Sequence, residues 1–234
     1  AIEDLDDDGI DVYKLLIEKI SSLPPHLRRN AIQRGWDALP ASCIHDNEGN
    51  LPEVIEVLIE LGVYLDCHAE DGSTLLQRMA RHGHHKCCLF LVDRGAAINT
   101  NATQGYGTAL QEAIKQREVK IADLLLEHGA EVNASPADNR GVTALQAASI
   151  NGMVEMAVRL LELGADVSSP TAPNNGRTAI DGAAEHGHLE MVQLLLNAYG
   201  EQENLWAVCH QAAYYAEKEG HGEIAQWLRG YSPV

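Results

Sequence analysis

The side chains best suited to chemistry gather at His82, His84, His85, Cys87 and Cys88, with Cys67 and His68 upstream. Imidazole nitrogens and thiolates at this density are the ligands of a tetrahedral zinc site. A second group, Asp4–Leu5–Asp6–Asp7–Asp8–Gly9, has the spacing that opens a calcium-binding EF-hand loop. Such a loop needs a bidentate acidic residue at its twelfth position, and counting from Asp4 the twelfth residue is Leu15. The run therefore reads as a solvated acidic terminus that suits the positive end of a following helix. The sequence has no GxSxG elbow, no phosphate-binding glycine loop and no HExxH. His68 with Asp71, or Glu185 with His186, could form acid–base pairs, but no spacing assigns them a nucleophile.

Whether these residues meet depends on the elements that carry them, and a repeat sets those elements. Thr74, Thr108, Thr143 and Thr178 open matching segments at spacings of 34, 35 and 35 residues. Two residues on stand Leu76, Leu110, Leu145 and Ile180; five on stand Met79, Ala113, Ala148 and Ala183. Gly83, Gly152 and Gly187 lie nine residues on, where the second unit carries Arg117. Leucine-rich pairs follow at Leu91–Val92, Leu125–Leu126, Leu160–Leu161 and Leu195–Leu196, and Gly95–Ala96, Gly129–Ala130 and Gly164–Ala165 close three units. Apolar positions three and four apart place one stripe on each of two short helices per unit. Glycine ends a helix by taking a positive φ at little cost. One helix pair cannot bury its stripe alone, so stability must come from stacked neighbours.

The register reinterprets the histidine–cysteine cluster. His84 takes the position of His188 and His221, and His82 that of His186. His85 falls where other units carry Val119, Val154 and Leu189; Cys87 and Cys88 fall on Ile121–Ala122, Met156–Ala157 and Met191–Val192. The two cysteines are core thiols, which leaves His68 with His82 as the residual metal pair. No metal ion and no cofactor is expected.

Segments such as Gly141–Val142–Thr143–Ala144–Leu145–Gln146–Ala147–Ala148 and Leu124–Leu125–Leu126–Glu127–His128–Gly129–Ala130–Glu131–Val132–Asn133 resemble the ankyrin repeat. The resemblance implies an all-α solenoid of helix-turn-helix units with β-hairpin or loop fingers. Units begin near 41, 74, 108, 143, 178 and 211, about six over 41–230, within a repeat domain spanning 41–234. The first is degenerate, with Asp46–Asn50 spoiling its inner helix, and the last has a long first helix from Asn204 to about Lys218. Residues 1–40 stand apart as an acidic segment and helical cap, with helices expected over Val12–Ile20 and from Pro25 to Ala38. An opening at Ala1 without Met points to a segment of something longer.

In such a stack the finger residues and the ends of the inner helices vary and touch partners. That reading selects Glu70, Asp71, Gln104, Tyr106, Asn139, Arg140, Asn174, Asn175 and Arg177 on the fingers. It selects Arg81, His82, Lys115, Gln116, Ile150, Asn151, Glu185 and His186 at the inner-helix ends, with Tyr215 as a further anchor. Where the family often has a histidine bracing the finger, this chain has Gln77, Gln111, Gln146 and Asp181. Glutamine can replace that hydrogen bond, aspartate less readily. Extra residues make the fingers at 99–106, 134–140 and 168–175 longer, and Pro136, Pro170 and Pro173 stiffen them.

Charge excludes other partners. Seventeen Lys and Arg against 34 Asp and Glu give a net charge of −17, so neither phosphate-driven nucleic-acid binding nor adsorption to an acidic membrane is expected. No apolar run is long enough to cross a bilayer. Five cysteines, an odd number, suit a reducing compartment, hence an intracellular setting in cytoplasm or nucleus. The expected function is non-catalytic binding of a protein or peptide by a monomer, through a mixed-charge concave face. The competing reading is an enzyme of unfamiliar type, acting on a small molecule in a finger-lined pocket by histidine–carboxylate acid–base chemistry.

Overall fold

Four threonines set the frame of the fold, and each caps a helix. A computed structural model describes residues 22, 24, 55, 56, 59, 64–69, 71–101, 106–138, 141–172, 176–200 and 204–231. The expected cap over 1–40, the acidic run at Asp4–Gly9 and the inner helix of the unit opening near 41 lie outside the described residues. Ten helices have both ends among the described residues: α1 (Leu75–Arg81), α2 (His85–Asp93), α3 (Ala109–Lys115), α4 (Val119–Glu127), α5 (Ala144–Ile150), α6 (Val154–Glu162), α7 (Ala179–Glu185), α8 (Leu189–Tyr199), α9 (Leu205–Lys218) and α10 (Gly222–Arg229). No strand occurs among the described residues, so their finger segments are turns and loops.

Thr74, Thr108, Thr143 and Thr178 are the N-caps of α1, α3, α5 and α7, each in extended conformation. Each hydroxyl accepts from the backbone N–H three residues on, and the Gln or Asp there accepts from the threonine N–H in return. This reciprocal box satisfies two orphan donors and is worth about 1 kcal/mol per helix. Seven residues make barely two turns, too few for a stable isolated helix, so the box and the packing together hold each one.

The chain divides into two units, Ala1–Ala97 and Ile98–Val234. In the first, α1 packs on α2, burying Leu75, Leu76, Met79, Cys87, Cys88 and Leu91. Asp66 Oδ1 accepts from Ala97 N at 2.7 Å, tying the turn before α1 to the end of α2.

In the second unit four helix pairs stack: α3 on α5, α5 on α7 and α7 on α9 form the inner layer, and α6 lies on α8 in the outer. Ala113, Ile121, Leu125, Ala148, Leu160, Ala183, Leu195 and Ala212 are fully buried between them. This is the α-solenoid that the repeat predicts. Small residues on the inner helices let them approach closely: a methyl group on Gly182 would lie 2.7 Å from Ile150 Cγ1. Asparagines stitch the turns. Asn99 Nδ2 donates to Gly129 O at 3.0 Å and its Oδ1 accepts from Glu131 N at 2.8 Å. Asn133 repeats the arrangement with Gly164 O and Asp166 N at 2.8 and 2.9 Å.

Arg117 fills the turn position where glycine is missing, and it adopts φ 64°. A side chain there is strained by about 1 kcal/mol. The site offsets the strain: Arg117 Nη1 donates to Asn151 O at 2.7 Å, and Asn151 Nδ2 donates to Ile114 O and Lys115 O at 2.9 and 3.2 Å. Two side chains thereby lock α3 to the end of α5.

Candidate functional site

The inner-helix ends of the second unit form a continuous row. Lys115 stands at the end of α3, Asn151 reaches back to its carbonyl, and Ile150 packs against Gly182 of α7. One turn on, His186 Nδ1 lies 3.0 Å from Gly182 O, with its ring stacked at 14° on His188. Lys115 Nζ meets the fully buried Glu112 carboxylate at 2.9 Å, and the same oxygen accepts from Gly107 N at 2.7 Å. Glu112 thus ties the finger before α3 to the lysine that the row exposes. Gln116 and His186 are exposed; Ile150, Asn151 and Glu185 are half-buried.

The row ends in a preformed cluster. Arg177 Nε and Nη2 donate to the two Glu185 oxygens at 2.9 and 3.3 Å, and its guanidinium lies over the Tyr215 ring, 4.2 Å from the centroid. Tyr215 makes an edge contact with the exposed Tyr214, centroids 5.4 Å apart. Burial works against the charge on Arg177, and the Glu185 hydrogen bond and charge outweigh it, so its pKa lies above the ordinary arginine value. Three predicted residues from three elements, the finger before α7, α7 and α9, are therefore brought into contact. A forked donor pair already fixed in orientation loses little freedom when a partner binds.

Other predicted residues stand elsewhere. Asp71 is exposed, and its Oδ1 accepts from Ser73 N at 2.9 Å, bracing the finger of the first unit. Arg81 and His82 are half-buried at the end of α1, with His82 as the C-cap. Tyr106 is half-buried beside the finger that precedes α3. Glu70, Gln104, Asn139, Arg140, Asn174 and Asn175 lie outside the described residues. Asn151, chosen as a contact residue, also has a role inside the stack, where its Nδ2 donates to the Ile114 and Lys115 carbonyls. Nothing in its residue type separates the two roles; the signal available in the sequence was the absent glycine at 117.

Cys87 and Cys88 are fully buried in α2, and His84 is buried as its N-cap. No group of three or more His, Cys, Asp or Glu side chains among the described residues is placed to hold a metal ion. No described helix is long and apolar enough to cross a membrane.

The bracing position shows how aspartate differs from glutamine. Gln111 Nε2 donates to Ala134 O and Ser135 O of the following finger, and Gln146 Nε2 to Ser169 O and Pro170 O. At Asp181 the following element is helix α9, and the donor is reversed: Gln211 Nε2 donates to Asp181 Oδ2 at 2.7 Å. Asp181 Oδ1 is buried without a hydrogen bond among the described residues. Burial raises the Asp181 pKa, against the lowering effect of its bonds from Thr178 and Gln211 and the charge of Arg177. A folded state that holds the proton to higher pH than the unfolded chain loses stability as pH rises above about 3.9. Asp181→Asn removes that loss. The variant should gain on the wild type as pH climbs from 4 toward the folded-state pKa, by about 1.4 kcal/mol for each pH unit crossed. Urea midpoints for both proteins measured across pH 4–7 check this; parallel curves refute it.

The family model for ankyrin repeats in three copies matches residues 41–136 and 133–205, well over half of the chain. BCL-6 corepressor-like protein 1 of Homo sapiens is 43% identical over 68 residues, covering 29% of this chain and 4% of that protein. Its Mus musculus counterpart is 41% identical over 68 residues with the same coverage. The B-cell lymphoma 3 protein homolog of Mus musculus is 29% identical over 124 residues, 53% of this chain and 27% of that protein. The chain thus spans only a small part of the length of these relatives.

Proposed function

Because the chain belongs to the ankyrin-repeat family, we propose that it is a non-catalytic recognition module. It binds a protein or peptide along its inner-helix ends and fingers. Protein interaction is the usual role of such repeats, and the finer assignment to this face rests on one observation. Arg177, Glu185 and Tyr215 are drawn from separate elements into a fixed, partly exposed group. Arginine and tyrosine in that arrangement are the residue types on which interface energy concentrates. Lys115, Gln116 and His186 extend the row with mixed polarity, which suits a polar peptide segment rather than a greasy one. The short coverage of the corepressor-like relative supports a further reading, that the stack is one part of a longer intracellular protein.

The test begins with affinity capture on the intact chain and identification of what stays bound. Affinities of each captured protein are then compared for wild type, Arg177→Ala and Tyr106→Ala. Arg177→Ala should weaken binding at least about tenfold, with helix content by circular dichroism unchanged. Full retention of every captured partner by both variants would sink the assignment to this face.

A further inference from the structure

The last helix carries a shallow groove that the concave-face reading does not use. Its cavity, about 590 Å³, is lined by Glu223, Gln226, Trp227, Gly230 and Tyr231. Glu223, Trp227 and Tyr231 are spaced four residues apart along and just beyond α10, so they share one side of it. The two rings meet at 49° with centroids 5.1 Å apart, making an aromatic corner. Glu223 is exposed, while Trp227 and Tyr231 are half-buried. Gly230 brings no side chain into the floor.

The repeat register shows what chemistry belongs there. Sixteen and twenty residues after an opening position, the unit at 74 carries Phe90 and Arg94, and the unit at 211 carries Trp227 and Tyr231. In the first of these units the Arg94 guanidinium lies 4.6 Å from the Phe90 ring centroid and pairs with Glu56 at 2.6 Å. Arg177 makes the same combination with the Tyr215 ring and the Glu185 carboxylate. The fold thus twice joins a cation, an aromatic face and a carboxylate from its own residues. At α10 the ring and the carboxylate are present, the ring is indole, the strongest cation platform, and the arginine position is occupied by Tyr231.

We propose that this groove binds a lysine or arginine side chain of a basic peptide segment, stacked in the Trp227–Tyr231 corner and paired with Glu223. Charge selects this occupant. Glu223 is the one carboxylate that lines the groove, no Lys or Arg lines it, and the chain as a whole has a net charge of −17. A second copy of the chain would set Glu223 and a net charge of −17 against their like, whereas a basic segment is attracted to them.

The probe is an acetylated Ser-Arg-Ser-Arg-Ser amide, with its citrulline counterpart as the neutral isostere, added to the full chain. The readout is the indole N–H resonance of Trp227, distinguished from those of Trp36 and Trp206 by its loss in Trp227→Phe. The arginine peptide should shift that resonance saturably, with an apparent Kd on the order of millimolar. Glu223→Gln should weaken it about fivefold and Tyr231→Leu comparably. The Trp206 resonance, from an exposed ring outside the groove, should stay in place. An equal response to the citrulline peptide overturns the proposal, as does no response at millimolar peptide. An undiminished response in both variants, or a response confined to Trp36 or Trp206, does so as well. A Trp227 shift that grows with protein concentration alone and tracks dimerisation in sedimentation would assign the groove to self-association instead.

Discussion

Gly141→Ala is expected to destabilise the Ile98–Val234 unit by about 3 kcal/mol. The finger before α5 folds back so tightly that a methyl group at Gly141 would overlap the carbonyl oxygen and the nitrogen of Ala137. Both are backbone atoms, so no rotamer change relieves the clash and the turn itself must open. Gly176 stands in the same register before α7, where a methyl group would lie 2.6 Å from Ala172 O. Its replacement should cost a similar amount. Gly129 provides the control: it has φ 84° and open space around its α-carbon. Alanine there meets only backbone strain, about 1 kcal/mol. Urea unfolding followed by circular dichroism separates the two causes. Equal midpoints for Gly141→Ala and Gly129→Ala would show that close backbone approach is not what the finger glycines serve.

Much of this frame could be read from the sequence because its signals are local and recur. The threonines that open the repeats recur at fixed spacing, and each proved to be an N-cap, with the Gln or Asp three residues on completing a capping box. The long last inner helix was legible for the same reason, ending at Lys218 as expected. What escaped the sequence depends on neighbours about 35 residues away. Arg117 was visible as a missing glycine, but its lock onto Asn151 requires two neighbouring repeats at once. The site shows the same division. Arg177, Glu185 and Tyr215 were singled out separately, yet their contact depends on how the finger before α7 returns over α9. The α10 groove went unread because its register positions are ordinary outer-helix positions elsewhere, where Leu124 or Arg159 stands in place of Trp227.

Gln146→Ala carries the second large effect, an expected loss of about 3 kcal/mol. The side chain is 1% exposed and serves two elements at once. Its Oε1 accepts from Thr143 N at 3.0 Å, closing the cap of α5, while Nε2 holds Ser169 O and Pro170 O of the next finger. Truncation leaves a buried donor without its acceptor, removes the donor to two carbonyls and opens a void, and these costs act together. Gln146→Glu isolates the second part: a carboxylate keeps the cap, loses the donor and sets negative charge against the carbonyls of the finger. It should therefore fail nearly as badly at neutral pH and recover as acid protonates it. Asp181→Ala gives the opposite contrast: it too opens a cap, at the half-buried Thr178 N–H, but its other partner Gln211 is exposed and can turn to water, and the buried carboxylate is itself costly. A loss under about 1 kcal/mol is expected there. Thermal and urea unfolding of the three variants decide the matter. If truncation at 181 proved as damaging as at 146, bracing of the following finger would not be the source of the glutamine's contribution.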